Sequence, residues 1–179
     1  MNGRYIVVGT VVAAIVLFVW SSVMHMGLWP ESSLKTFADE GAVNDAIRAN
    51  GSGNGFYINK AGVVAVVHMD PNVPNTFENM GPMLTGEFIS DLVVGLLLAL
   101  AFALVGIAST RNGAAVGIVF GLAAAVHTYA SESVWYGFPW LITVLNSIEI
   151  VVGWMLAGAV LGVIAAKMNR SRTARTATA

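Results

Sequence analysis

Apolar positions fall in four long runs: Tyr5 to Gly27, Phe88 to Ala108, Ala114 to Tyr129 and Leu141 to Ala166. A helix needs about 20 apolar residues to cross the ~30 Å hydrocarbon core of a bilayer. Three runs meet that length, and the third meets it if Ser131 to Trp135 continue the helix. Trp29-Pro30 closes the first run, an aromatic belt residue followed by a helix breaker. Glu31 to Glu87 is too long for a simple loop. Within it Thr36 to Ala49 has helical composition, Asn50-Gly51 supplies a stop, and Gly51 to Gly55 is a flexible turn. Phe56-Tyr57-Ile58 and Val63 to Val67 flank Asn59-Lys60-Ala61-Gly62 and predict a β-hairpin. Asp70 to Pro82, with three prolines, predicts an irregular return, and Ser109 to Gly113 a short turn around Arg111.

The predicted fold class is an all-α membrane protein, a four-transmembrane-helix bundle with a small α+β outer (periplasmic) insertion between helices 1 and 2. Its parts are a first transmembrane helix over 1–29, the outer acidic segment over 30–86, helices 2 to 4 over 87–167, and a basic tail over 168–179. The first run exceeds the about 7–15 apolar residues of a signal peptide, and no A-x-A site follows, so it predicts a signal anchor that is kept.

Charge orients this layout. Arg4, Arg111, Lys167, Arg170, Arg172 and Arg175 share one side with no acid among them. The ten acids, with Lys35, Arg48 and Lys60, lie on the other side or in the adjoining half of a helix. Bases gather on the cytoplasmic side of membrane proteins, so both termini are expected inside. Only 11% of residues are charged and 56% are apolar, far from a soluble domain. No basic cluster beyond the tail suits a nucleic acid; the tail fits anionic lipid or a disordered end. With no cysteine, disulfides, thiolate metal sites and cysteine nucleophiles are excluded.

Small residues recur every fourth position. Gly113, Gly117, Gly121 and Ala125 mark the third run, Gly95, Ala99 and Ala103 the second, and Gly153, Ala157, Gly158 and Gly162 the fourth. Such faces let helices approach closely in lipid. Packing within the chain is the preferred reading, with dimerisation and a flat cofactor as the alternatives.

Ionisable residues continue these stripes. Glu87 and Asp91 precede Gly95, and Asn146 and Glu149 precede Gly153, so their side chains point into the bundle. A charge at that depth needs a partner, water or a proton. His25, with Ser21 and Ser22 a turn away, and His127 are the partners at the outer end of the first and third helices. The six residues His25, Glu87, Asp91, His127, Asn146 and Glu149 form either a polar network that fixes helix register or a ligand pocket.

Metal and haem are narrower readings of the same end. Met24, His25, Met26, His68, Met69, Met80 and Met83 give soft ligands suited to Cu(I). His68-Met69 followed by Met80 resembles the first part of the His-Met motif of periplasmic copper chaperones, whose later histidine-x-methionine element is missing. His25 and His127 offer axial imidazoles for a b-type haem. Neither cofactor is the leading expectation. No Glu-x-x-His pair of the di-iron type, phosphate loop, H-E-x-x-H or G-x-S-x-G occurs. The inner half lacks ionisable steps for an ion path, which argues against transport by a single copy.

The run Ser131-Glu132-Ser133-Val134-Trp135-Tyr136-Gly137-Phe138-Pro139-Trp140 is the most distinctive. With Gly153-Trp154 and the Trp20-to-Trp29 end of the first helix, it resembles uncharacterised small four-helix bacterial membrane proteins. The likeness covers most of the helical portion. It implies the architecture and a bacterial inner membrane, and no chemistry. The expected role is therefore non-catalytic: an accessory or scaffolding subunit in contact with lipid and with other membrane-protein subunits, or further copies of itself. The alternative is a membrane protein that holds copper, haem, lipid or quinone in an outer-leaflet pocket.

Overall fold

A computed structural model describes residues 3–29, 35–58, 62, 64–67 and 80–177, with side chains described up to Ser171. The chain is mostly helical, with one two-stranded sheet. Its elements are α1 (Gly3–Val23), α2 (Glu40–Asn50), β1 (Gly55–Ile58), β2 (Val64–Val67), α3 (Gly81–Val105), α4 (Thr110–Ala125), α5 (Ser131–Tyr136) and α6 (Trp140–Ala177). π-helical turns extend α1 over Met24–Leu28 and join α4 to α5 over Val126–Ala130. Among the described residues four helices are long and apolar enough to cross a membrane: Gly3–Leu28, Gly81–Val105, Thr110–Tyr136 and Trp140–Ser171.

The chain divides into two units, Met1–Trp29 with Met83–Ala179, and Pro30–Pro82. In the smaller unit α2 starts at Glu40 rather than Thr36, because the Asp39 carboxylate accepts from the Ala42 N–H at 2.8 Å and caps the helix there. The stop at Asn50-Gly51 holds. β1 and β2 pair antiparallel, Gly55 opposite Val67 and Ile58 opposite Val64. Gly62 takes φ +80, as a hairpin turn asks of one residue. The Tyr57 hydroxyl donates to the Gly53 carbonyl at 2.6 Å and accepts from the Ser52 N–H at 3.1 Å, fixing the Gly-rich turn. No residue of α2 is buried, and the hairpin is half-buried at most.

In the larger unit α4 runs antiparallel to α6, and α3 antiparallel to α1. One cluster of buried apolar residues joins three of the long helices: Tyr5, Ala13 and Leu17 of α1, Leu98, Ala99 and Phe102 of α3, and Ala157, Leu161 and Ala165 of α6. On α1 the row Tyr5, Gly9, Ala13, Leu17 repeats every fourth residue, the spacing that keeps one face inward. The outward positions Val7, Val11, Ile15, Val19 and Val23 are exposed and apolar.

α4 joins this core through α6. Gly113, Gly117 and Gly121 are buried, and a Cβ on Gly113 or Gly117 would run into the backbone carbonyl of Gly158 or Trp154. At Gly121 it would lie 2.9 Å from the Val151 Cα. Gly158 and Gly162 answer from α6, against the carbonyls of Gly113 and Ser109. The two backbones therefore touch over about three turns, as small residues permit. Gly95 and Gly153 serve α1 instead: their Cβ positions would meet the Thr10 carbonyl at 2.7 Å and Trp20 Cδ1 at 3.0 Å.

One helix end follows the condition read from the sequence, and another runs beyond the expectation. The third apolar run reaches spanning length because helix continues through the π-turn to Tyr136, where Gly137 (φ +71) ends it. The 168–179 segment is not a loose tail as far as Ala177: α6 runs on, since no glycine or proline follows Gly162 to stop it. Basic side chains late in a helix also suit its negative end.

Candidate functional site

Four rows of residues at four-residue spacing run up the packed faces and end in polar groups at one end of the larger unit. On α1 the row Tyr5, Gly9, Ala13, Leu17 leads to Ser21 and then His25. On α3, Ala99 and Gly95 lead to Asp91 and then Glu87. On α4 the glycine row through Ala125 leads to Tyr129. On α6, Leu161, Ala157 and Gly153 lead to Glu149. There the helices enclose a cleft of about 200 Å³. Glu87, Asp91 and Glu149 line it, together with Ser21, Trp20, Tyr129 and Trp154.

Glu149 is held from α1. Ser21 Oγ donates to Glu149 Oε1 at 2.8 Å, and His25 Nδ1 lies 3.5 Å from Oε2. The same nitrogen lies 3.1 Å from the Ser21 carbonyl oxygen, which can only accept, so Nδ1 carries the proton. His25 stacks on Trp29 with ring centroids 4.8 Å apart, which sets the imidazole plane. Trp20 Nε1 donates to the Glu149 backbone carbonyl at 2.9 Å, a bond that ties α1 to α6 independently of the carboxylate.

Asp91 is placed differently. It is 8% exposed, and its Oδ2 has no hydrogen-bond partner among the described residues. Glu87, one turn nearer the helix start, lines the cleft but is exposed. The pair shares one stripe and not one environment: the outer carboxylate is exposed where the inner one is enclosed.

The remaining predicted residues separate. His127 is exposed and does not line the cleft, and Asn146 is half-buried outside its lining. Tyr129 takes the position expected of His127. Extending the row 113–117–121–125 by four reaches 129, and that arithmetic alone would have found it. α1 and α4 pack on different faces of α6, so His25 and His127 are not brought to opposite sides of one pocket, as an axial pair would require. In the copper set, Met24 is 2% exposed and Met26 76%, because residues two apart on a helix point away from each other. Met80 and Met83 are exposed; His68 and Met69 lie outside the described residues. Among the described residues no three His, Cys, Asp or Glu side chains gather as a metal site.

A second polar contact lies nearby. Ser133 of α5 and Thr143 of α6, both buried, hydrogen-bond through their hydroxyls across the Gly137–Pro139 connection. This fixes how α5 hands the chain to α6.

Compared with protein families, with curated proteins and with solved structures, the chain finds no match.

Proposed function

We propose that the chain is an integral protein of a bacterial inner membrane, a four-helix bundle with both termini cytoplasmic, and that it binds a small ligand in the cleft bounded by Asp91 and Glu149. The membrane reading rests on the four apolar helices and on outward valines and isoleucines that only hydrocarbon would cover. Orientation rests on the segregated bases. A reporter fused after Ala179 should be active only in the cytoplasm and one inserted at Gly53 only outside; the reverse pattern overturns the orientation.

The observation that carries ligand binding is the enclosed Asp91 carboxylate, unpartnered at Oδ2 and lining a cleft roomy enough for a small molecule. A carboxylate in an apolar bundle costs stability unless something pairs with it. Native mass spectrometry tests this. After exposure to an extract of host-cell metabolites and lipids, the wild type should carry a defined adduct, and Ser90→Trp, which fills the cleft, should not. A bare wild type, or equal adducts on both, would sink the reading.

An accessory or scaffolding role is the second reading, and the smaller unit favours it. With no buried residue in α2 and an apolar groove of about 410 Å³ lined by Val43, Ile47, Tyr57 and Ile58, that unit has surface for a partner to cover. The small-residue faces support it less, since α4 and α6 use theirs on each other.

A further inference from the structure

We infer that the cleft takes an organic monocation, an ammonium group of a small molecule, with Asp91 as its counter-ion. This rests on the ligand-binding reading above and adds the chemical class.

Three carboxylates line the cleft, and no lysine, arginine or histidine does. Such a lining repels anions and favours positive charge. The number of charges follows from what each carboxylate already has. Glu149 already has the Ser21 hydroxyl on Oε1 at 2.8 Å and the His25 ring 3.5 Å from Oε2. Glu87 is exposed. Asp91 alone is enclosed with an oxygen unpaired. One free enclosed carboxylate calls for one positive charge.

The surroundings separate organic from inorganic cations. A bare metal ion needs several oxygen or nitrogen donors at short range, and no such group of three acidic or imidazole side chains forms among the described residues. The walls instead carry the rings of Trp20, Tyr129 and Trp154 beside the aliphatic Leu17, Val94 and Ile150. Aromatic faces attract alkylated ammonium groups, whose charge is spread over methyl or methylene hydrogens and is cheaply desolvated.

The test uses the full chain in lipid nanodiscs and compares choline with its uncharged carbon isostere, 3,3-dimethylbutan-1-ol. Choline chloride should raise the unfolding temperature saturably; the alcohol, and sodium chloride at equal ionic strength, should not. Asp91→Asn should weaken choline binding about tenfold or more, the loss of one charge-assisted contact, and Glu132→Gln should leave it unchanged. If the alcohol stabilises as well as choline, the site takes a neutral ligand, and the inference fails while cleft binding stands. If sodium alone gives the shift, the cation is inorganic and the inference fails. If choline has no effect on a wild type that still takes up a Ser90→Trp-sensitive adduct, the class is wrong and the site is right. The wild-type comparison holds even if Asp91→Asn does not fold.

Discussion

The two long seams of α6 are built on opposite principles. Against α4 it presents Gly158 and Gly162, and backbone meets backbone with no ionisable side chain between them. Against α1 and α3 it presents Gly153, Ala157, Leu161 and Ala165, and the contact is made by interlocking side chains that widen into the acidic cleft. The first seam tolerates no added atom. The second leaves room. A helix whose faces all matched the first seam would be rigid and featureless; the cleft exists because α1 and α3 are held off by side chains while α4 is drawn in.

The strongest way to break that contrast is to thicken the tight seam. Gly117→Leu should drive α4 off α6, since the new Cβ would overlap the Trp154 carbonyl. A loss of about 3 kcal/mol or more, read by unfolding in mild detergent, is expected of overpacking against backbone. Unchanged stability would mean the helices are not in backbone contact. The open seam gives an effect of opposite sign. Asp91→Leu should stabilise the ligand-free protein by about 1–3 kcal/mol by removing a buried polar group with an unmet bond; a fall in stability would show that Asp91 is paired. Glu149→Leu should instead destabilise by about 1 kcal/mol, because Ser21 and His25 lose their acceptor. Two carboxylates of one cleft thus respond in opposite directions. Smallest is Gly86→Ala on α3, where a Cβ meets nothing within 4 Å. Helix propensity alone should add up to about 1 kcal/mol, and a loss would place that glycine in an unseen contact.

The long elements were legible because hydrophobic length and four-residue spacing are local properties of the chain. The α4–α6 partnership was half legible: Gly113, Gly117 and Gly121 announce a close neighbour, but nothing local says which helix supplies it. Ser21, His25, Asp91 and Glu149 were reachable by the same spacing. His127 was chosen for its chemistry over its position, and position placed Tyr129 in the cleft. The difference between Glu87 and Asp91 was out of reach, because one turn of depth is set by how far the neighbouring helices extend. The π-turns were equally hidden. Neither contains a proline, and a single extra residue leaves the hydrophobic pattern almost unchanged.

Those two turns, at Met24–Leu28 and Val126–Ala130, occupy the same end of the larger unit. A π-turn holds one residue beyond the α count, and each residue advances a helix by about 100°. The widened turn takes up that residue, so Tyr129 still follows Ala125 onto the cleft face. Tyr129 sits inside one such turn. Deleting Thr128 would remove the extra residue and let α4 run into α5 as one α-helix, with the faces before and after the turn still in phase. The cleft end of α4 should therefore accept the loss of one residue more readily than the glycine row below it, where a deletion would carry Gly113, Gly117 or Gly121 off α6.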